Sequence, residues 1–317
     1  MPDTITPAMD KAELYQTTRR RFMAHLQYTR GYPKTTCYNY HSDLNLWAAW
    51  LGLAGVDWTD AHHTDVEAFI GWQMRERGVK AHIVARRCSA LSTFYRFCLR
   101  HALVTRDPVQ GAARPRRPQR IPVWLEPHEQ ALLEAAINAT DDLPENIFGE
   151  RREALRRVRE RYRVLFGLIL NSGLRISEAL NLRVSDVRQA GGSALSVRVI
   201  GKGDRERIVP LPERFGPVLG EWLADRPGEA FVFAREPGGK PPGAQAARAY
   251  LRRVLSRIGL SRRITPHQLR HTYATRLKER GAELPDIRDL LGHADIGTTS
   301  IYLHVSEDHM RDLVSKL

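Results

Sequence analysis

Residues 265–304 have the sequence TPHQLRHTYATRLKERGAELPDIRDLLGHADIGTTSIYLH, which contains the strongest local signals in the chain. Thr265 and Gln268 have the spacing of a capping box, in which each residue satisfies a free backbone N–H group at a helix start. Pro266 suits the first helical position, because its missing N–H group has no partner there. A helix is therefore predicted to begin here.

This predicted helix has two different faces. His267, Arg270 and His271 share one face at the spacing i, i+3, i+4. The opposite, core-facing stripe consists of Leu269, Tyr273 and Leu277. A His–x3–His pair is also typical of zinc proteases, but those need a glutamate after the first histidine, where this chain has glutamine.

Two more short helices are predicted after this one. The first covers about residues 285–291 and stops at Gly292, so that His293 follows a rigid helix end. The second begins near Thr298 and presents Tyr302.

Length and charge indicate two domains and a nucleic-acid partner. A chain of 317 residues is long enough for two cores, and a net charge of +13 attracts polyanions. No apolar run approaches the length of a membrane span, and the start of the chain lacks a signal-peptide pattern. We predict a soluble cytoplasmic protein without membrane contact. Its three cysteines, Cys37, Cys88 and Cys98, are predicted to be reduced packing residues.

The first part of the chain is predicted to be helical. Residues 1–12 are expected to be disordered, and residues 13–107 to form a domain of four or five helices, since apolar residues recur at helical spacing. In the last of these helices the expected buried set is Ile83, Leu91, Phe94, Tyr95 and Cys98.

A linker rich in proline and arginine is predicted at residues 108–123, because its prolines exclude a helix or a central strand. It forms an extended strap between two domains that could clamp a duplex. DNA contacts are assigned to Arg114, Arg116, Arg117 and Arg120 in this strap, and to Arg86 and Arg87 in the first domain. A solvated linker without DNA contacts is the alternative.

The second domain is predicted to cover residues 124–304. It begins with a helix near residues 127–138, and an arginine-rich helix then starts near residue 146. Its charges fit either a solvated, salt-bridged surface or a DNA contact. Arg175 opens the next short helix, where Glu178 is one turn further on. An ordinary ion pair at a helix start is one interpretation. The other is that Glu178 holds a buried guanidinium group whose remaining donors bind a phosphate.

The clear β element is SALSVRVIGKGDRERIVPL, residues 193–211. Leu195, Val197 and Val199 alternate before the turn, and Ile208, Val209 and Leu211 follow it. With a short strand near residues 184–187, this predicts a three-stranded antiparallel sheet. Lys202 lies on the turn between glycines, either as a solubilising lysine or as a charge that reaches a ligand. Neither nucleotide-binding fingerprint is present.

Together these segments give the predicted catalytic set Arg175, Lys202, His267, Arg270, His293 and Tyr302. Two arginines and a lysine can neutralise a phosphodiester without a metal ion. A tyrosine can attack it covalently, and histidine and lysine can transfer protons.

Four motifs, GLRISEAL, GKGDRERIVPL, TPHQLRHTYAT and LLGHADIGTTSIYLHV, resemble those of the tyrosine recombinases of the phage-integrase superfamily. The catalytic set matches in order, and Glu178 matches the family's accessory acidic residue. Residues 32–43 and the segment from ARRCSALSTFYRFC to DP resemble the family's core-binding domain. The likeness is greatest to compact Xer-like and mobile-element enzymes, although the stretch at residues 138–161 is longer than these need.

The resemblance implies a mainly α fold with a small antiparallel sheet. A helical, SAM-like core-binding domain and an α+β catalytic domain would form a C-shaped clamp around DNA. It also implies roles for the site residues. Tyr302 would form a 3′-phosphotyrosyl link, Lys202 would protonate the leaving 5′-oxygen, and His267 would act as general base and acid. The two catalytic arginines would hold the phosphate, together with His293, and Glu178 would orient its neighbours. Neither ATP, a metal nor another cofactor is implied.

The resemblance further implies that the C-terminal helix, residues 305–317, docks on a neighbouring subunit in a tetramer on two DNA sites. Double-stranded DNA with inverted-repeat core sites is the expected substrate, and a partner recombinase or a DNA-bending factor is a possible further component. Three alternatives remain at this point: a type IB topoisomerase, a non-catalytic DNA-binding protein and a zinc-dependent protein.

Overall fold

A computed structural model describes residues 10–115, 123–139, 146–201, 206–236, 238–260, 262 and 264–292. The chain divides into two compact units, residues 1–119 and residues 120–317. No helix within the described ranges is both long enough and apolar enough to cross a lipid bilayer.

In the first unit the described residues form a helical domain, as predicted. Its helices are α1 Lys11–Ala24, α2 Lys34–Ala54, α3 His63–Arg75 and α4 Ala81–Arg100. A π-helical turn, His25–Thr29, extends α1, and Gly55 ends α2 in the left-handed conformation that favours glycine.

An aromatic core holds these helices together. The buried Trp47 indole donates a hydrogen bond of 3.0 Å to the Tyr95 hydroxyl, which in turn donates one of 2.9 Å to the Trp58 carbonyl. Ile83 is only partly buried, contrary to the prediction, because Val84 occupies the inward position of α4. Packing also continues past residue 107, since Val109 is 1% exposed. The start of the predicted linker therefore belongs to this unit.

The second unit combines helices with one small sheet. Its helices are α5 Pro127–Asn138, α6 Gly149–Ser172, α7 Ile176–Asn181, α8 Gly216–Leu223, α9 Ala244–Arg257, α10 Pro266–Glu279 and α11 Leu284–Leu291. Its strands are β1 Val187–Ala190, β2 Ser193–Ile200 and β3 Glu206–Pro210. They pair antiparallel in the order β1-β2-β3, so the predicted three-stranded sheet is confirmed.

Two details of the predicted sheet are wrong. Val184–Asp186 forms a 3₁₀ turn rather than a strand, because the Asp186 carboxylate accepts a hydrogen bond of 3.0 Å from the Arg183 N–H group and caps the turn. Leu195 is 43% exposed rather than buried. Leu195 has no partner in β1, because Arg188 pairs with Ser196 and Gln189 pairs with Ala194. This bulge interrupts the inward–outward alternation of β2 and turns the Leu195 side chain outward.

Helix α6 forms the centre of the second unit. Its C-terminal half is apolar and buried, and it packs against α10. The helix ends at Gly173, which has φ +64°. A Cβ atom there would lie 2.5 Å from the Tyr273 ring and 2.8 Å from the Leu291 side chain. Glycine is therefore needed where the chain turns sharply into α7, and this turn places Arg175 beside the ends of α6 and α11.

Candidate active site

The structure brings four predicted site residues together: Arg175, Glu178, His267 and Arg270. Lys202, His293 and Tyr302 lie outside the described residues, and so do the predicted third helix near Thr298 and the C-terminal helix. The cluster is built where α7, the start of α10 and the end of α11 meet.

Arg175 occupies the N-cap position of α7. Its backbone N–H group donates a hydrogen bond of 2.9 Å to Glu178, and its guanidinium group donates a second of 2.7 Å to the same carboxylate. A longer bond of 3.3 Å reaches the Gly292 carbonyl. The Arg175 side chain remains 38% exposed. It is thus fixed on one side and accessible to a ligand on the other.

Arg270 is 1% exposed, although the sequence placed it on the face opposite the core. Its guanidinium group donates hydrogen bonds of 2.7 Å to the Gly173 carbonyl and 2.6 Å to the Leu291 carbonyl. These carbonyls lie at the C-terminal ends of α6 and α11, where helix dipoles present negative charge. Two helix ends therefore compensate for the burial of a cation.

His267 lies in the first turn of α10, which the predicted capping box fixes in place. The Thr265 N–H group donates a hydrogen bond of 2.9 Å to Gln268, and the Thr265 hydroxyl accepts one of 3.3 Å from the His267 N–H group. His267 is exposed at the surface, but partial desolvation by the surrounding protein, together with the positive charges of Arg270 and Arg175, lowers its pKa. The imidazole is therefore neutral near pH 7 and can accept a proton.

Glu178 also binds a second arginine, Arg207, which was not predicted from the sequence. Arg207 on β3 donates a hydrogen bond of 2.8 Å to the Glu178 carboxylate and another of 2.9 Å to the Leu290 carbonyl. Burial would raise the pKa of Glu178, but the hydrogen bonds and charges of Arg207 and Arg175 hold it below its usual range. A signal was available: Arg207 lies two residues before the buried Val209 and therefore shares its face of β3, which is unusual for a charged residue.

The arginines predicted to contact DNA in the first unit have internal partners. Arg86 donates a hydrogen bond of 2.8 Å to the buried Asp43, and Arg87 donates one of 2.6 Å to Gln73. Both therefore connect α4 to neighbouring helices. Arg114 is exposed, whereas Arg116, Arg117 and Arg120 lie outside the described residues. A DNA contact by any of these six stays a prediction.

Comparison with known proteins covers both units. The phage integrase family model matches residues 147–309, and the model of the phage integrase N-terminal SAM-like domain matches residues 20–102. Tyrosine recombinase XerC of Pelobacter propionicus is 34% identical over 306 residues, with 94% of this chain and 93% of that protein covered. Tyrosine recombinase XerD of Lacticaseibacillus casei is 31% identical over 298 residues, covering 91% and 94%.

Solved structures show the same fold. XerH recombinase bound to a palindromic difH substrate superimposes with a TM-score of 0.71 at 20% identity, covering 97% of this chain and 85% of that one. A lambda integrase dimer bound to a COC′ core site gives a TM-score of 0.68 at 18% identity, covering 90% and 94%.

The chain belongs to the phage integrase family, whose members are tyrosine recombinases. It is an enzyme of site-specific DNA recombination that cleaves and religates DNA strands. This membership favours recombination over the topoisomerase, DNA-binding and zinc alternatives.

The variant Glu178→Gln tests the charge balance of the cluster. It leaves the buried guanidinium group of Arg207 without its carboxylate, so we expect a loss of about 3–5 kcal/mol in the free energy of unfolding at pH 7. The pKa of Glu178 is lowered in the folded state, so its contribution is present at neutral pH and is lost as the pH falls through that pKa. The difference between variant and wild type should therefore shrink in acid.

The control for this measurement is Glu153→Gln, which removes an exposed ion pair with Arg157 on α6. Its effect on the free energy of unfolding should stay below about 1 kcal/mol. Equal effects of the two variants in urea denaturation would contradict a special role for Glu178.

Proposed function

We propose that this recombinase cuts DNA by attack of Tyr302 on the scissile phosphate, which gives a 3′-phosphotyrosyl intermediate and a free 5′-hydroxyl. The observation that carries the proposal is a cluster in which Arg175 and Arg270 lie beside Glu178, and His267 lies near both arginines. It supplies the fixed positive charge and the neutral imidazole that such an attack needs. Tyr302 and His293 follow this cluster closely in sequence, after the end of α11.

Each group has a defined part in the proposed reaction. Arg175 and Arg270 stabilise the non-bridging oxygens, whose negative charge grows in the pentacoordinate transition state. Neutral His267 accepts the Tyr302 proton, which must leave because a phenol has a pKa near 10 in water. Lys202 donates a proton to the leaving 5′-oxygen, and His293 hydrogen-bonds the phosphate. Because the phosphotyrosyl ester conserves the energy of the broken diester, religation needs no ATP.

We further propose that the substrate is duplex DNA with inverted-repeat core sites, bound by a tetramer on two sites. The net charge of +13 supports a polyanionic partner, and the XerH and lambda integrase structures contain DNA substrates or core sites. The buried, unpaired thiols of Cys37, Cys88 and Cys98 suit the reducing cytoplasm. Integration or excision of a mobile element and resolution of DNA dimers all use this chemistry, with or without a partner recombinase or a bending factor.

Covalent trapping tests the nucleophile. Wild-type protein is incubated with a pool of nicked duplexes with randomised sequence, and the DNA that survives denaturation on the protein is sequenced. We expect a single core sequence with inverted repeats. Tyr302→Phe should bind the selected duplex but form no covalent complex, because it lacks the attacking oxygen.

The matched control is Tyr273→Phe, which removes a hydroxyl from α10 and should still become attached. Covalent attachment of the Tyr302→Phe protein, or no attachment of the wild-type protein to any duplex, would refute the proposed chemistry.

The tail is tested separately. Deletion of Ser306–Leu317 removes the segment proposed to dock on a neighbouring subunit, so binding to one site should persist while pairing of two sites is lost. Gel-shift assays with one duplex and with two differently labelled duplexes measure the two steps. Normal pairing by the truncated protein would exclude exchange of the tail.

A further inference from the structure

The Glu178 carboxylate is shared by three guanidinium groups. Arg175 lies 2.7 Å from one carboxylate oxygen, Arg207 lies 2.8 Å from the other, and Arg270 lies 3.9 Å from this second oxygen. Glu178 and Arg207 are both nearly inaccessible, with side chains 8% and 11% exposed. Arg207 thus faces the carboxylate from the protein interior, whereas Arg175 faces it from the accessible side.

We propose that Arg207 is a positioning residue for DNA cleavage: it fixes the Glu178 carboxylate so that Arg175 is held in the orientation that receives the scissile phosphate. The proposal rests on the function proposed above. Arg207 need not touch the DNA for this role, because its donors are directed at protein acceptors.

Arg207 donates several directed hydrogen bonds from one planar group, an arrangement that the ammonium group of a lysine cannot reproduce. Its two terminal nitrogens donate to the two oxygens of Glu178, at 2.8 and 3.3 Å, and Nε donates to the Leu290 carbonyl at 2.9 Å. A planar guanidinium group binds a carboxylate at both oxygens and so fixes its rotation. Because the Glu178 carboxylate also binds Arg175, a carboxylate with a fixed rotation also fixes the orientation of the Arg175 side chain.

Arg207 also connects three segments that lead to predicted catalytic groups. It lies on β3, directly after the connection that contains Lys202. Its carboxylate partner is on α7, which Arg175 opens, and its carbonyl partner is at the end of α11, just before His293. A Cβ atom at Gly292 would lie 2.9 Å from the Arg207 guanidinium group, so glycine permits this close packing.

A purely structural arginine is the competing explanation, because Arg207 also joins β3 to α11. The two roles differ in their effect on proton binding. If Arg207 positions Glu178, its removal raises the pKa of that carboxylate, and cleavage fails at a higher pH than in the wild type. A structural role would reduce stability and DNA binding without moving the pH profile.

The experiment measures the rate of covalent complex formation on the selected nicked duplex for Arg207→Gln and Arg207→Lys, from acid to neutral pH. At neutral pH we expect Arg207→Gln to cleave about 10- to 100-fold more slowly, which is the size of the loss when a partner that orients a metal ligand is removed. Lysine keeps the charge but not this arrangement of hydrogen bonds, so Arg207→Lys should be intermediate. Both variants should bind the duplex as the wild type does.

The matched control is Arg198→Gln on the neighbouring strand. Arg198 has an ion pair of 2.8 Å with Asp186 and is 46% exposed, so the charge lost is equal but does not contact Glu178. Its rate and pH profile should match the wild type.

A wild-type rate for Arg207→Gln would overturn the inference, and so would a reduced rate with an unchanged pH profile. Equal rates for the wild type and Arg207→Lys would show that charge alone matters and would also overturn it. Failure of the wild-type protein to form any covalent complex would instead refute the proposed function, and this inference with it.

Discussion

The geometry of the site depends on one buried carboxylate. Glu178 accepts hydrogen bonds from the backbone and side chain of Arg175 and from Arg207, and it lies within ion-pair distance of Arg270. Three cations around one anion leave an excess of about two positive charges in a largely buried place. The carbonyl groups at two helix ends offset part of this excess. The negative charge of a phosphodiester in its pentacoordinate transition state can balance the remainder. The cluster is thus prepared to bind the charge that forms during cleavage.

Helix ends make this arrangement possible. Gly173 and Gly292 end α6 and α11 in left-handed conformations, and the carbonyls of Gly173 and Leu291 point at Arg270. The same glycines allow close approach, because a side chain at Gly173 would collide with Tyr273, and one at Gly292 with Arg207. These two glycine turns therefore determine both the path of the backbone and the position of the carbonyl groups that bind Arg270.

The sequence was sufficient to predict those contacts of the site that join residues close to each other in the chain. The cap of α10 depends on Thr265 and Gln268, three residues apart, and the pair of Arg175 and Glu178 has the same separation. Contacts between distant segments were not predictable in this way. Arg207 is 29 residues from Glu178, and Arg270 is 97 residues from Gly173. Likewise, the outward position of Leu195 follows from a bulge that alternation alone does not reveal.

A structure of the Tyr302→Phe protein bound to its selected, uncut duplex would test this arrangement most directly. We expect the guanidinium groups of Arg175 and Arg270 to lie within about 3 Å of the non-bridging oxygens of one phosphate, the usual hydrogen-bond distance. Residue 302, from the same subunit or a neighbour, should face that phosphate in line with the 5′-oxygen. A phosphate held away from both arginines, or a residue 302 that cannot approach it, would contradict the central claim.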